Sequence, residues 1–345
     1  MSGKTSANAW VYTDAYPQGL KQGKINIPSQ DGEKVIVEVN ACALNPVDIQ
    51  TMNLPRKNAN EKGKEWGIVC DFSGKVVHAK GFSKGDEVFG ISFSAFTPLR
   101  TGTLAKVAVL DASKTCMINK PVSWTNEQAS ALPLVWLTAK KCVEDVKPFL
   151  TKSGRNEKRV VVLGGSSAVG IYTIILAKKL GWKVLSTSSS RNKEFLQDKL
   201  KVDQHVDYTT DDVRAKATAF KPQAVIDCVG GTECIGIPGN LRYISIVGDK
   251  TGRETMGGPY TYYDWRAPAY VISQWLRWAK GYVGLGESYD VVILDPKREW
   301  LEESTTTISP DSIYIDSVFP FEKAKEAFQR LDTGRAKGKV VIKVQ

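Results

Sequence analysis

The chain has 345 residues, a length that predicts about two domains. Hydrophobic residues make up 42% and charged residues 24%, which excludes a largely disordered chain. The net charge of +10 suits anionic ligands, but the basic residues are scattered among acidic ones, which disfavours nucleic acid as a partner. No apolar run approaches the ~18 residues of a membrane span, and the first residues lack a secretory pattern. We therefore expect a cytoplasmic protein.

Residues 1 to about 130 are rich in predicted strands. Short alternating segments bounded by Gly, Asp and Lys predict strands at 34–39, 74–77, 86–89 and 102–110. Thr125 is a predicted N-cap with Glu127 and Gln128 in the first turn, which predicts a helix over 126–139.

Strands alternate with helices between residues 159 and 250. Residues 159–163 form a continuous apolar run, typical of a parallel strand buried on both faces. Further strands are predicted at 182–186, 205–208, 224–227 and 242–247, and helices at 169–180 and 194–201. This alternation predicts a doubly wound parallel sheet. A strand at 290–294, a helix at 322–331 and a strand at 339–344 follow.

Aromatic residues are concentrated in residues 259–282. Val271, Trp275 and Trp278 have the spacing of one helical face. Two interpretations stay open for this segment: a wall of a substrate cleft, or an amphipathic helix that contacts a membrane surface.

A Gly-rich turn stands between the apolar run at 159–163 and the following helix. It contains Gly165-x-Ser167-x-x-Gly170, a variant of the dinucleotide fingerprint with Ser at the second Gly position. Such a turn lets the backbone approach a pyrophosphate, and the helix N-terminus attracts the anion. Its place between strand and helix predicts a dinucleotide site.

The next strand end indicates which dinucleotide binds. NAD sites place a carboxylate about 20 residues after the turn, on the ribose hydroxyls. Residues 186–193 contain hydroxyls, an amide and two cations, with no carboxylate before Glu194. These groups suit a 2′-phosphate, so we expect NADPH.

The potential metal ligands are few. Six cysteines include no C-x-x-C pair, and only two histidines are present. A zinc site needs three or four N, S or O ligands, so we expect no metal.

Several further segments carry a family resemblance, in the right order along nearly the whole chain. They are residues 43–48 (ALNPVD), 70–76 (CDFSGKV), 85–90 (GDEVFG), 102–105 (GTLA), 129–133 (ASALP), 137–139 (LTA), 164–170, 206–208 (VDY), 226–230 (IDCVG) and 334–341 (GRAKGKVV). With them the chain resembles the medium-chain dehydrogenase/reductase superfamily, specifically its zinc-free quinone oxidoreductase-like and enoyl reductase branch. Residues 315–321 and the tail look most like a fungal subgroup.

The resemblance implies an α/β architecture in which a Rossmann-type doubly wound parallel sheet is inserted into a GroES-like β-rich domain. Residues 1–134 and 295–345 would form the GroES-like substrate domain, and residues 135–294 the NADP-binding domain. The family's zinc enzymes carry a cysteine at the position of Asn45 and a histidine at that of Cys70. Relatives often form homodimers through edge strands, here residues 290–294.

The resemblance also implies the site residues. Asn45 would position the nicotinamide and contact an oxyanion, with Thr138 nearby; a turn-forming Asn before Pro46 is the alternative. Asp48 would order its loop. The implied cofactor-binding residues are Gly165, Ser166, Ala168, Val169, Gly170, Ser188, Ser189, Arg191, Asn192, Tyr208, Val229, Val247 and Lys339. For Lys339, a solvated side chain is an equal alternative.

The implied activity is hydride delivery from NADPH to a quinone or an α,β-unsaturated carbonyl without a metal. Enoyl-thioester reductases of this family carry a Tyr acid soon after the Asn-Pro segment, and residues 50–54 contain none. Two alternatives stay open: a biosynthetic trans-acting enoyl reductase, and a non-catalytic NADPH-binding protein that acts on membrane or nucleic acid.

Overall fold

A computed structural model describes residues 5–28, 33–54, 63–249 and 268–345. Sixteen strands are described: β1 Thr5–Tyr12, β2 Leu20–Ile27, β3 Lys34–Leu44, β4 Trp66–Gly67, β5 Asp71–His78, β6 Glu87–Ser92, β7 Val107–Asp111, β8 Thr115–Asn119, β9 Arg159–Leu163, β10 Lys183–Ser188, β11 Gln204–Asp207, β12 Ala224–Asp227, β13 Arg242–Ser245, β14 Ser288–Val291, β15 Ile315–Pro320 and β16 Lys339–Lys343. The α-helices described are α1 Pro46–Asn53, α2 Asn126–Ser130, α3 Pro133–Lys152, α4 Ala168–Lys179, α5 Val213–Phe220, α6 Pro268–Tyr282, α7 Arg298–Thr307 and α8 Ala324–Asp332.

The described residues fall into two compact units. The first contains those between residues 5 and 134 and between 296 and 345; the second contains those from 135 to 249 and from 268 to 295. Within the described residues, no helix is long and apolar enough to cross a membrane.

The first unit is built mainly from antiparallel strands. Its larger sheet has the order β15-β16-β3-β5-β6-β8, with β7 also paired to β3, and its smaller sheet has the order β2-β1-β4. Strand β3 is the longest of the described strands, and its apolar residues are buried at eight of its eleven positions. The core beneath it contains fully buried Val37, Val39, Phe72 and Phe328.

The second unit is a parallel sheet of six strands in the order β11-β10-β9-β12-β13-β14. Counted along the chain, this is the order 3-2-1-4-5-6 of dinucleotide-binding sheets. The strand order reverses at β9, whose neighbours are β10 and β12. Ligands of such sheets bind at the carboxyl ends of the strands at this reversal. The predicted doubly wound fold is thus confirmed.

Two predicted helices differ from those observed. The helix expected over 126–139 is broken between α2 and α3, because Pro133 begins α3 and cannot donate an intrahelical hydrogen bond. Thr125 does cap α2, since its hydroxyl accepts the Gln128 N–H at 3.1 Å. The helix expected over 194–201 is shorter, a π-type turn over Phe195–Lys199.

The C-terminal part of the second unit also differs from expectation. Strand β14, Ser288–Val291, begins two residues before the predicted range 290–294 and ends three residues before its end. The helix α6 spans all three residues of the predicted shared face, of which Val271 is buried whereas Trp275 and Trp278 are exposed. Residues 259–267 of the aromatic segment lie outside the described residues.

Candidate active site

Sheet register in the first unit brings three polar residues to one place. Strand β16 pairs antiparallel with β3 so that Val340 lies opposite Leu44, which puts Lys339 beside Asn45. On the other side of β3, Ala43 lies opposite Asp71 at the start of β5. The side chains of Asn45, Asp71 and Lys339 meet at this end of three neighbouring strands.

The Lys339 ammonium is enclosed by acceptors. Its Nζ donates to Asn45 Oδ1 at 2.5 Å, to the Leu44 carbonyl at 2.8 Å and to Asp71 Oδ2 at 3.1 Å. An ammonium has three protons, so these contacts use all of them. Lys339 is 2% exposed, and the alternative of a solvated lysine is therefore wrong.

The Asn45 carboxamide is used at both ends. Its Oδ1 accepts from Lys339, and its Nδ2 donates to Asp71 Oδ2 at 2.9 Å. The other Nδ2 proton makes only long hydrogen bonds, to the Ala43 carbonyl at 3.3 Å and to Cys70 Sγ at 3.6 Å, and Asn45 is 1% exposed. Asn45 also precedes α1 as its N-cap residue, and its backbone N–H donates to Asp48 Oδ2 as in a capping box. The turn-forming role and the contacts with Lys339 and Asp71 therefore occur together at this residue.

Asp71 joins several parts of the first unit. Its Oδ2 accepts from Lys339 and Asn45, and its Oδ1 accepts the Leu134 N–H at the start of α3 at 3.0 Å. Burial raises the pKa of this carboxyl, while the Lys339 charge opposes the rise. Whether the Asp71 carboxyl is ionised consequently depends on the Lys339 charge and on its hydrogen-bond donors.

A second buried carboxyl, Asp48, fixes the backbone beside the cluster. It accepts the Asn45 N–H at 2.7 Å and also the N–H of Val69. Burial raises the pKa of Asp48 to about 7, although both hydrogen bonds and Lys339 lower it. Val69 adopts φ +73°, a strained conformation for a β-branched residue. The expected loop-ordering role of Asp48 agrees with these contacts.

The thiol of Cys70 lies against this cluster and is itself buried. Burial raises its pKa well above the usual range, and the charges of Asp48 and Asp71 raise it further. The thiol is therefore protonated at neutral pH. Within the part of the chain that the structure describes, no group of three or more His, Cys, Asp or Glu residues could hold a metal ion.

In the second unit, the Gly-rich turn follows β9 at the strand-order reversal. A Cβ on Gly170 would lie 2.3 Å from the Gly164 carbonyl oxygen, and one on Gly165 would lie 2.1 Å from Ser186 Oγ. Gly164 has φ +78° and packs against Val229. All three glycines are required by close packing, as expected for a turn that lets the backbone approach a pyrophosphate.

Polar contacts hold this turn at the N-terminus of α4. Thr187 at the end of β10 accepts the N–H groups of Gly164 and Gly165, both at 2.9 Å. Ser167 is the N-cap of α4, and its hydroxyl accepts the Gly170 N–H at 3.1 Å. This explains the Ser at the second fingerprint position. The amides of Ala168 and Val169 lie in the first helical turn, where N–H groups are available to an anion.

The loop after β10 holds most of the expected 2′-phosphate residues. Asn192 Nδ2 donates to Ser166 Oγ at 3.1 Å and so joins this loop to the Gly-rich turn. Arg191 is exposed, and Tyr208 at the end of β11 is 59% exposed.

Ser188 and Ser189 differ in their surroundings. Ser188 is buried and its hydroxyl contacts His205 Nε2 at 2.9 Å, whereas Ser189 is half-buried. Ser189 is therefore more accessible to a ligand than Ser188.

Sequence spacing missed a carboxylate near this loop. Asp207, the last residue of β11, lies opposite Ser188 in the parallel ladder and accepts hydrogen bonds from Thr209 and Ser190. These contacts lower its pKa, so it is ionised at neutral pH. Only the pairing of β10 with β11 reveals this proximity, because Asp207 lies beyond the segment in which an NAD-type carboxylate is sought.

A buried carboxyl also organises the far side of the turn. Asp227 Oδ1 accepts the N–H groups of Val229 at 2.9 Å and Gly230 at 2.8 Å, and its Oδ2 accepts from Ser245 Oγ at 2.7 Å. Ser245 in turn accepts the Val247 N–H at 3.4 Å. Val229 and Val247, both expected beside the nicotinamide ribose, are thus held by one network. The resemblance included Asp227, but nothing in the sequence indicated its role.

Thr138, the second expected catalytic residue, is buried in α3 and belongs to the second unit. Asn45 belongs to the first unit.

Comparisons with known proteins agree with this geometry. A family model described as zinc-binding dehydrogenase matches residues 200–342. The chain is 30% identical to 2-methylene-furan-3-one reductase of Solanum lycopersicum, over 97% of this chain and 78% of that protein. It is 29% identical to human mitochondrial NAD(P)H oxidoreductase RTN4IP1, over 95% of this chain and 85% of that protein.

A solved structure matches the fold as a whole. The quinone oxidoreductase from Coxiella burnetii superposes with a TM-score of 0.76 at 24% identity, covering 99% of this chain and all of that one. The chain belongs to the medium-chain dehydrogenase/reductase superfamily, in its quinone oxidoreductase and enoyl reductase branch. The similar proteins are named as reductases or oxidoreductases, which supports the catalytic interpretation rather than the non-catalytic alternative.

Proposed function

We propose that the chain is an NADPH-dependent reductase that transfers hydride to a quinone or to the β-carbon of an α,β-unsaturated carbonyl. The observation that carries this proposal is the Gly-rich turn at the reversal of the parallel sheet, whose glycines leave no room for a Cβ. The tomato relative, a reductase of a furanone that bears a methylene group, supports the enone class of acceptor. The Coxiella structure supports the quinone class.

The pyrophosphate of the dinucleotide would lie at the N-terminus of α4. There the amides of Ser166, Ala168 and Val169 and the positive end of the helix dipole are suited to bind the anion. Gly165 and Gly170 keep the turn close enough for this contact. The side chains of Val229 and Val247 would flank the nicotinamide ribose from the ends of β12 and β13.

NADPH is proposed over NADH because of the exposed cation in the loop after β10. Arg191, with Ser189, Asn192 and Tyr208 around it, would surround the 2′-phosphate. Asp207 opposes this choice, since an ionised carboxylate repels a phosphate. The human relative is named for both NADPH and NADH, so the preference of this chain has to be measured.

When bound, the nicotinamide ring supplies the hydride. The Nδ2 proton of Asn45 that has only long contacts in this structure is the donor proposed to hold the ribose edge or the developing oxyanion. Thr138 is the second proposed contact. Lys339 would act beside the cofactor through Asn45, because its own protons are used within the first unit. Solvent water would supply the final proton.

The proposal is tested by NADPH oxidation at 340 nm with a panel of quinones, enones and enoyl thioesters, in the presence of a metal chelator. Steady turnover with a quinone or enone, unchanged by the chelator, is expected. Asn45→Ala should lower kcat by about tenfold or more, whereas Asn119→Ala, an exposed asparagine at the end of β8, should not. Tight NADPH binding without oxidation by any acceptor would contradict the proposal.

We also propose a homodimer formed through β14. This strand is the last of its sheet and pairs with β13 alone among the described strands. Ser288 donates its N–H group to the Leu241 carbonyl just before β13, and Val292 donates its own to Ser245 at the end of β13. By strand alternation Tyr289 and Val291 therefore direct their N–H groups to the open edge. An open strand edge favours pairing with another strand. A two-fold axis would pair β14 with its own copy in antiparallel orientation.

The surface of α6 beside this edge is apolar and exposed. Trp275 is 67% exposed, and the residues that continue the stripe are Ile272, Leu276, Tyr282, Val283 and Leu285. A membrane-contact helix would need free cations beside such a stripe. Of the two cations on this helix, Arg277 is held by Asp249 at 2.6 Å, whereas Lys280 is exposed. The open edge of β14 beside the stripe favours a second copy as the occupant of this surface.

Mass measurement in solution tests the dimer. Ile293 is 73% exposed just beyond β14, and Ile293→Lys should give a monomer. Val122→Lys, at a 99% exposed position of the first unit, should leave the dimer intact. A monomeric wild-type chain would contradict the proposal, and its co-sedimentation with anionic vesicles would assign the stripe to a membrane surface instead.

The cytoplasmic location stays a prediction, and the human relative is named as mitochondrial.

A further inference from the structure

A carboxamide has two orientations that differ only in the exchange of its oxygen and nitrogen. At Asn45 the two neighbours distinguish them completely. Lys339 can only donate, and it lies at the oxygen; ionised Asp71 can only accept, and it lies at the nitrogen. A reversed carboxamide would place Nδ2 against the ammonium and Oδ1 against the carboxylate. Both contacts would then be repulsive.

We propose that Lys339 and Asp71 are the positioning residues of the reduction site, and that they hold the Asn45 carboxamide in the one orientation that leaves an Nδ2 proton for the ligand. The inference rests on the proposed function, since Asn45 is the group that would touch the nicotinamide ribose or the substrate oxygen. It adds Asp71, which neither the sequence nor the relatives indicated. It also replaces direct cofactor contact by Lys339 with an action through Asn45.

The energetics of buried ion pairs favour a positioning role over a purely structural one. Both members of the pair are almost completely buried, with side-chain exposures of 3% for Lys339 and 0% for Asp71. Desolvation of two charges largely offsets their attraction, so a neutral pair of similar size often folds as well or better. What a neutral pair cannot do is distinguish the two orientations of Asn45. The charged pair is thus better explained by the orientation of Asn45 than by stability.

The test compares single and double variants. Lys339→Met alone leaves Asp71 buried without its cation, and it should lower both the melting temperature and kcat. Adding Asp71→Asn removes the unpaired charge, and the double variant should regain the wild-type melting temperature. Its kcat should stay about tenfold to a hundredfold below wild type, because misplacement of a reacting partner by about 1 Å costs up to that factor. Recovery of kcat to within twofold would overturn the proposal.

A matched control is present in the same unit. Lys120 is also buried, with its side chain 5% exposed; it donates to the Trp124 carbonyl at 2.7 Å and pairs with Glu87 at 3.3 Å. The double variant Lys120→Met, Glu87→Gln likewise removes a lysine charge and the charge of its partner carboxylate, at a place away from Asn45. This double variant should keep the wild-type kcat. The Glu87 side chain is 45% exposed, so this control removes a buried lysine together with a partly exposed carboxylate. An equal loss of kcat in both double variants would show a general effect of removing a buried lysine and its partner, and would overturn the positioning role.

A neutron structure of the Lys339→Met, Asp71→Asn variant gives a readout that needs no turnover, because it distinguishes the amide nitrogen from the oxygen. The Asn45 carboxamide should be reversed or should occupy both orientations. A single carboxamide orientation, unchanged from wild type, would contradict the inference even if kcat falls. If the wild-type chain reduces no acceptor, the proposed function fails, while this structure still decides whether the pair positions Asn45.

Discussion

The hydroxyl of Ser245 donates a 2.7 Å hydrogen bond to the buried carboxylate of Asp227, and this contact joins the ends of two neighbouring parallel strands. Through it, the loops that follow β12 and β13 share one anchor. Ser245→Ala would leave Asp227 Oδ2 buried without this donor. We expect a loss of about 1–3 kcal/mol in the free energy of unfolding, measured by urea denaturation at pH 7.

The same carboxyl predicts a pH dependence of stability. Burial raises the pKa of Asp227 to about 6 from the usual value of about 3.8 for a solvent-exposed carboxyl, despite its hydrogen bonds. The folded state therefore holds this proton over a range in which the unfolded state has lost it. Proton binding by Asp227 therefore stabilises the folded state. This contribution to the free energy of unfolding, on the order of 2–3 kcal/mol, is complete below pH 3.8 and is lost as the pH rises through 6.

The Asp227→Asn variant isolates this contribution. Its amide cannot titrate, so the variant does not lose stability in this way. As the pH rises from 4 to 7, the variant should therefore become more stable relative to wild type. Urea denaturation at four pH values measures this difference. A difference that does not change with pH would contradict the raised pKa of Asp227.

Gly170→Ala tests the phosphate turn. The new Cβ would lie 2.3 Å from the Gly164 carbonyl oxygen, so the turn has to shift. We expect NADPH affinity to fall at least about tenfold, because the amides at the N-terminus of α4 move with the turn. Fluorescence titration measures the affinity. Gly286→Ala, where a Cβ meets nothing within 4 Å, is the control and should bind as wild type does.

The choice between NADPH and NADH is tested at two residues of opposite charge. Arg191→Gln should weaken NADPH binding by about tenfold and leave NADH binding unchanged, because a charged hydrogen bond to phosphate contributes about 1.5–3 kcal/mol. Asp207→Asn should shift the preference towards NADPH, since it removes a negative charge near the loop after β10. Titration of both dinucleotides against both variants measures these shifts. Equal effects on NADH and NADPH would place the 2′-phosphate elsewhere.

Local patterns in the sequence were enough to predict the nucleotide sheet. The continuous apolar run of β9, the Gly-rich turn and α4 follow one another over residues 159–179, and each has a local signature. The break before Pro133 was missed because the residues on both sides are good helix formers. The exposure of Trp275 and Trp278 stayed open in the sequence, because helical spacing shows which residues share a face, and not whether that face is covered.

The polar cluster around Asn45 depends on contacts between residues far apart in the chain. Lys339 and Asn45 are 294 positions apart, and only the antiparallel register of β16 on β3 brings them together. Asp71 follows Cys70, which was considered only in comparison with a ligand position of the family's zinc enzymes. Asp207 is comparable, because its proximity to Ser190 follows from the pairing of β10 with β11. Such pairings are set by the whole sheet and leave no mark in the local sequence.

Transfer of deuterium to an enone from NADPH that carries deuterium at both hydrogen positions of the nicotinamide C4 tests the central claim most directly. The account predicts that, with a metal chelator present, the purified chain yields a saturated ketone that carries the deuterium at its β-carbon, as read by NMR. A product without deuterium at that carbon, or no consumption of NADPH with any enone or quinone, would contradict it.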